Sequence, residues 1–491
     1  MTGKIIKITS DVIDVKFTGN KVPLIGTIVK TKSGVILMVE AVLSSQVVQT
    51  VIIRANSPLS INEIVTSDNK PPLIPAGLNA MGRLFDMLGN PIDGEPKPKA
   101  EYIPVERNKN IDRKFLTAFK PIKTGIKAID FFVPTLEGNK IGMFGGAGVG
   151  KTLVIKELIN NVKFDGTTNH KSFFVGIGER SREGEELFNE LKESKLIDQV
   201  QLFFAQMNEA PGARMNIIYS AITAAEYLRD VEKISSLMFI DNIYRFVQAG
   251  SELSSALGNI PSQSGYQPTL MTEISNVQER LTGTKNGSIT SFQTIFVPAD
   301  DITDPAAVSI FSHLDGSIVL DRNIASLGKY PAMDLLASSS QNTTIDLVGE
   351  RHVAALLEVK RHLQRYRDLE DLIVILGQDS LSDEDKKIVL RARILANYFT
   401  QNFFVAEEFT QRPGDFVELE DVIGDVEKIM NGDYDEHDPT EFLYISTLKD
   451  INKKVKKQVK EDDDSKGKKK KHKKRKGSKK NKIKGDKKNV K

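Results

Sequence analysis

One octapeptide restricts this chain more than any other feature. Gly145 to Thr152 reads G-G-A-G-V-G-K-T, which satisfies G-x-x-x-x-G-K-[ST], between an apolar segment, KIGMF, and an amphipathic one, TLVIKELI. A strand before and a helix after are the context this motif requires. Its glycines let successive backbone N–H groups turn inward around phosphate oxygens, a lysine adds a point charge, and the helix start presents its positive dipole end. The sequence therefore predicts a nucleotide phosphate held by Gly145, Gly146, Ala147, Gly148, Val149, Gly150, Lys151 and Thr152, with the Thr152 hydroxyl available to Mg²⁺. Whether that phosphate is also cut depends on residues elsewhere.

Apolar stretches KIGMFG, KSFFVGIG, VQLFFAQ, SSLMFID and TSFQTIFVP alternate with helix-like segments between residues 76 and 345. Such alternation predicts an α/β core, a mainly parallel sheet covered by helices, as in P-loop NTPases. Ligands of these sheets sit beyond the carboxyl ends of the strands. Residues 1–75 are rich in Val and Ile, and Ile13, Val15 and Phe17 alternate with Asp14 and Lys16. Short strands of this kind predict a small antiparallel β-barrel. Residues 346–450 read as a C-terminal α-helical domain, with one long helix ending at Gly377 and a second starting at Ser382, where Asp385 three residues on resembles a capping box. Residues 451–491 form a Lys-rich tail too polar to fold alone.

Two carboxylates at strand ends draw attention. Asp241 closes SSLMFID and is placed to hold the water shell of a metal ion, although a carboxylate there also serves as a helix cap. Glu179 closes FFVGIGE. It could orient or deprotonate a water attacking the phosphate, or it could join Arg180, Arg182 and Glu183 in a solvated charged turn. The residues alone leave these two readings of Glu179 open.

With 491 residues, of which 40% are hydrophobic, the chain is too long for one core and should divide into three or four domains. It has no Cys, so disulfides, thiolate metal sites and cysteine nucleophiles are excluded, in keeping with a reducing, intracellular setting. The first residues read as a strand rather than a signal peptide, and no run of about 18 apolar residues predicts a membrane span. Residues 453–491 carry 21 Lys+Arg against 5 Asp+Glu, a balance of +16 within a total of +3, so the remainder is −13. The tail's charge would suit an acidic protein, anionic lipid or nucleic acid, the last without base stacking because aromatics are lacking.

Read in order, GGAGVGKT, GERSREG, FIDNIYRFVQAGSELSSALGNIPSQSGYQPTL, VPADDITDPA and FSHLDGSIVLDRNIASLGKYPAMD resemble the catalytic (beta) subunits of rotary F-type ATP synthases, over about residues 3–448. The resemblance implies an ATP-hydrolysing or ATP-synthesising enzyme in which Glu179 activates the attacking water. It further implies Lys151 on the β and γ phosphates, Thr152 on Mg²⁺, Asp241 and Glu183 on metal-bound waters, and Arg180 and Arg245 beside the γ-phosphate. Tyr330, Phe403 and Phe409 match residues that hold adenine, though by pattern alone Phe403 and Phe409 read as helix core. Also implied are a 3:3 ring with an alpha-type subunit that lends an arginine, and a gamma-type central shaft touched by Asp379–Asp385 and by Asp300–Asp304. The assembly would lie on the inner, cytoplasmic face of the cell membrane, joined indirectly to a proton-transporting membrane sector.

Several positions depart from the family: Ser181 where Thr is expected, Tyr244 where Phe is, and Asn402 before Phe403 where Pro is. None removes a catalytic group, and together they suggest a divergent paralogue that could power mechanical work or export. An RNA-translocating hexamer is opposed by an N-terminal region whose one aromatic is Phe17, and a purely regulatory nucleotide-binding subunit is opposed by Glu179.

Overall fold

The computed structural model describes residues 1–19, 21–107, 120–146, 148–162, 171–262, 264–296 and 304–451. The basic tail from residue 452 on, Ala147, and Asp300 and Asp301 of the expected shaft-facing loop lie outside them, while Ile451, expected in the tail, is buried.

Near the N-terminus, β1 (Thr2–Thr9), β2 (Val12–Phe17), β3 (Ile28–Thr31), β4 (Ile36–Val42), β5 (Val47–Arg54) and β6 (Ile64–Thr66) close a barrel in the order β1-β2-β5-β4-β3-β6. Every pairing is antiparallel. The alternation expected at Ile13, Val15 and Phe17 holds: these three fill the barrel with Ile5, Val29, Leu37, Val39 and Val48. Each such side chain contributes about 1.5–3 kcal/mol on burial.

The central sheet comprises β7 (Leu84–Phe85), β8 (Lys140–Phe144), β9 (Lys171–Glu179), β10 (Val200–Gln206), β11 (Ser236–Asp241), β12 (Ile289–Ile295), β13 (Gly316–Val319) and β14 (Ser339–Ser340). Their spatial order is β14-β13-β8-β12-β11-β9-β10-β7, parallel throughout except for β14. All five predicted apolar strands belong to this sheet. Helices α1 (Lys151–Asn161), α2 (Ser181–Glu193), α3 (Pro211–Asp230) and α4 (Ile243–Ala256) connect them. Because β8, β9 and β11 run parallel, Gly145, Glu179 and Asp241 emerge along one edge of the sheet, although up to 96 residues separate them in sequence.

C-terminal to the sheet lie α5 (Glu350–Leu376), α6 (Asp383–Tyr398) and α7 (Leu419–Asn431). The predicted stop and start are both present: Gly377 follows α5 at φ 81°, and the Ser382 hydroxyl accepts from Asp385 N–H at 3.1 Å. These helices dock on the sheet through an aromatic cluster in which Phe399 lies 5.2 Å from Phe131 and 4.9 Å from Phe132, centroid to centroid. Lys127, on the same short helix Lys127–Phe132, is fully buried, donates to Ile445 O at 2.7 Å and lies 4.3 Å from the Tyr398 ring. This docking carries the chain from the end of α6 into residues 400–410, directly over α1. Among the described residues no helix is long and apolar enough to cross a membrane.

Candidate active site

The glycine loop is shaped by steric demand at two positions. A Cβ on Gly145, at φ 149°, would lie 2.9 Å from Leu320 O, and Gly150 enters α1 with φ 90°. Neither is tolerated by a larger residue without moving the loop. The loop therefore delivers Lys151 as the first residue of α1, half-buried, with Thr152 exposed beside it.

Thr152, Glu179, Glu183 and Asp241 line one cavity of about 250 Å³, together with apolar walls from Ile155, Phe174, Leu187 and Phe204. The register of β9 against β10 slips between Ile177 and Glu179, so that Glu179 pairs with Gln206. An irregularity of this kind re-aims a side chain at the end of a strand. Arg245 of α4 packs on Gly178, 3.7 Å from where a Cβ would be, and donates to Gln248 Oε1 at 3.1 Å. Asp241 accepts from the Thr294 hydroxyl.

Glu186, Glu190 and Lys156 also line this cavity, and the electrostatics at Glu179 follow from its burial beside Asp241 and Glu183. Burial pushes the Glu179 carboxyl up to about 8, with Asp241 and Glu183 adding to the rise and Arg245 opposing it. Asp241 is also raised by burial, held back by the Thr294 hydroxyl and the Lys151 ammonium. Arg180 and Glu183 are solvent-facing and 4.0 Å apart. Arg180 and Arg182 thus stay in the charged turn, whereas Glu179 faces the cavity and Glu183, exposed at its mouth, borders both.

One consequence is testable in the nucleotide-free protein. A carboxyl more protonated in the folded than in the unfolded chain costs stability as pH rises from about 4.5 to about 8, and the loss is complete above that. Glu179→Gln removes this term. The variant should therefore melt above the natural chain at pH 9 and show a smaller difference at pH 5, read by a thermal scan against pH.

A second cavity, of about 530 Å³, opens beside α1's first turn, lined by Leu153, Tyr330, Phe403, Phe409, Arg412 and Tyr444 among others. The Tyr330 ring approaches Gly150, so this space adjoins the phosphate loop. Tyr330 N–H donates to Tyr444 Oη at 3.1 Å, and Arg412 lies 5.3 Å from the Tyr444 ring. The helix-core reading is corrected for Phe409, which is 81% exposed on the one-turn helix Glu407–Thr410. Phe403 is buried, yet as the residue ahead of a 3₁₀ turn rather than within a helix. An apolar ring left in solvent beside a cavity offers a stacking face. Phe409→Ala should change folding stability by no more than about 0.5 kcal/mol. It should weaken binding of a nucleotide that stacks there by roughly 2- to 12-fold, corresponding to about 0.5–1.5 kcal/mol; titration calorimetry checks the second and melting the first.

The donor set suits Mg²⁺: a hydroxyl and carboxylates are hard oxygen ligands, and this ion keeps several waters and takes phosphate oxygens rather than demanding an all-protein cage. The described residues contain no cluster of three or more His, Cys, Asp or Glu able to hold a metal alone.

Each departure from the family pattern has a partner. The Ser181 hydroxyl donates to Gln206 Oε1 at 2.9 Å, the Tyr244 and Tyr266 hydroxyls are 2.9 Å apart, and Asn402 Nδ2 donates to Tyr444 O at 3.2 Å. Tyr266 in turn donates to Asp304 at 2.7 Å, and Asp304 caps the helix Pro305–Phe311. Sequence reasoning missed Thr294, Tyr444 and Glu157. Only Glu157 carried a signal, as a lone carboxylate on the apolar side of α1.

Glycine loop, strand-end carboxylates and parallel sheet together define a P-loop nucleoside-triphosphate-binding protein. Residues 125–340 match the nucleotide-binding domain of the ATP synthase alpha/beta family, and residues 342–420 match the C-terminal domain of V and A type ATP synthase. The chain is 45% identical over 453 residues, 92% of its length and 97% of its relative's, to ATP synthase subunit beta 2 of Mycoplasmopsis pulmonis (strain UAB CTIP). The chain belongs to the ATP synthase alpha/beta family, and it is a homologue of an ATP synthase beta subunit.

Proposed function

We propose that this chain is the catalytic, beta-type subunit of a rotary ATPase of the F type, hydrolysing or synthesising MgATP in step with shaft rotation and transmembrane proton transport. The observation that carries the reading is the presence of Glu179 in the same cavity as Thr152 and Asp241. A nucleotide-storing subunit needs the loop but not a carboxylate poised at its far wall. In this reading Lys151 and the loop amides hold the β and γ phosphates, and Glu179 takes the proton from the attacking water, a role favoured by a pKa near operating pH. Arg180 and Arg245 stabilise charge on the transferring group. Thr152, Asp241 and Glu183 hold Mg²⁺ or its waters, and bound Mg²⁺ supplies charge neutralisation on the phosphate oxygens. Tyr330, Phe403 and Phe409 receive the base.

The same reading divides the chain into a barrel (1–75), a nucleotide-binding domain (76–345), a helical domain (346–450) and a basic tail (451–491), the tail meeting an acidic protein or anionic lipid. Partners are an alpha-type subunit in a 3:3 ring and a gamma-type shaft. The tip between α5 and α6 supports a contact surface there: Val374, Ile375 and Leu376 are exposed, and so are Asp379, Asp383 and Glu384 in the residues that follow. The resemblance over about residues 3–448 favours the F type, and the similarity of residues 342–420 to V and A type enzymes fits a divergent paralogue. That paralogue could drive mechanical work or export from the cytoplasmic face of the membrane.

Steady-state ATP hydrolysis tests the subunit reading. The complex isolated with its partners should turn over at least about 10³-fold faster than this chain alone, since an arginine from a neighbour is worth about 10³–10⁵ in such sites. Equal rates would show that the chain completes its own site.

A further inference from the structure

Residues of α1 line both cavities, Thr152 and Ile155 the first and Leu153 the second, and a further residue of the helix, Glu157, holds the turn beside the second. Glu157 is fully buried. Its Oε1 accepts from Phe404 N–H at 3.2 Å and from Asn161 Nδ2 at 2.9 Å, and its Oε2 accepts from Val405 N–H at 3.1 Å. Those two amides open the 3₁₀ turn Phe404–Ala406, immediately after Phe403.

The first amides of a helical turn have no partner within it. A Ser, Thr, Asp or Asn at the preceding position usually supplies one. Here that position is Phe403, whose ring lines the larger cavity and cannot cap. The cap comes instead from 246 residues earlier in the chain, from the helix that begins with the phosphate-binding lysine. Gly414 packs closely on Phe404, since a Cβ there would lie 2.4 Å from Phe404 N, and Gly414 N–H donates to Glu407 Oε1 at 2.7 Å. Residues 403–405 are therefore clamped, and the clamp's fixed jaw is the phosphate helix.

We propose that Glu157 is a positioning residue that sets the distance between the triphosphate held at Lys151 and the base received at Phe403 and Phe409, and so confers the site's affinity for a whole nucleotide over a bare polyphosphate. This rests on the reading of the larger cavity as the base pocket. Without the carboxylate, the loop amides and Lys151 stay in place, whereas Phe403 loses its fixed relation to them. The phosphate half of the site is then intact and the base half is loose.

The test compares ATP with Mg²⁺-tripolyphosphate, which has the phosphates and no base, on the complex isolated with its partners. Glu157→Gln keeps the volume but turns an NH₂ toward one of the two amides. ATP should bind about 10-fold more weakly or worse, the scale of a buried donor left unsatisfied, while tripolyphosphate affinity changes by less than about twofold and kcat at saturating ATP by less than about threefold. Glu157→Asp, which retains the charge but shortens the reach, should show the same split to a smaller degree, and it serves where the Gln variant fails to assemble. Equal weakening of both ligands, or no weakening of ATP, would overturn the assignment. A natural complex that binds ATP no more tightly than tripolyphosphate would instead remove the base-pocket reading on which it rests.

Discussion

Glu179→Gln in the assembled complex is expected to lower ATP turnover by about 10²–10⁴-fold, the usual worth of a positioned general base, while nucleotide affinity stays within a fewfold of the natural chain. The substitution is nearly isosteric and removes only the ability to take a proton. Crowding by Asp241 and Glu183 adds to the burial that raises the Glu179 carboxyl to about 8, so the amide also relieves repulsion, and binding of an anionic phosphate should if anything tighten. A steady-state assay beside a fluorescence titration separates the two effects. Loss of affinity in proportion to rate would mean that Glu179 helps to hold phosphate rather than to cut it.

Lys151→Ala should weaken Mg²⁺-tripolyphosphate and ATP alike, by roughly 10- to 150-fold, equivalent to about 1.5–3 kcal/mol for a hydrogen bond to a charged group. The lysine is half-buried at the head of α1, where the helix dipole and loop amides already favour an anion. They remain in the variant, which is why binding is reduced and not abolished. Rate should fall as well, because Asp241 loses the ammonium that holds its carboxyl down and is protonated more readily. Titration calorimetry with both ligands gives the first quantity. A selective loss of ATP alone would place Lys151 outside the phosphate site.

Much of this architecture is legible in local chemistry alone. The glycine loop, the five apolar strands, the barrel alternation at Ile13, Val15 and Phe17, and the Ser382 cap are all short-range patterns, and short-range patterns report backbone geometry directly. The strand order is not legible in this way, because it depends on which connections cross over the sheet. Nor can the residues alone decide whether Glu179 faces solvent or cavity, since that depends on a register slip against Gln206 in another strand. Phe409 shows the opposite failure. Its ring fits a core by composition and is left outside because the chain there makes only a four-residue helix. The role of Glu157 is hidden because its partners, Phe404 and Val405, are backbone amides far along the chain, which no side-chain pattern announces.

The central claim is that one cavity both holds and cuts the terminal phosphate of ATP. Its most direct test is a high-resolution structure of the assembled complex with MgADP and aluminium fluoride, which imitates the transferring phosphoryl group. The expected result is the fluoride group between Lys151 and Glu179, with a water within about 3 Å of the Glu179 carboxylate and the base between Tyr330 and Phe409. Nucleotide bound with its terminal phosphate turned away from Glu179, and that carboxylate facing bulk solvent, would contradict it.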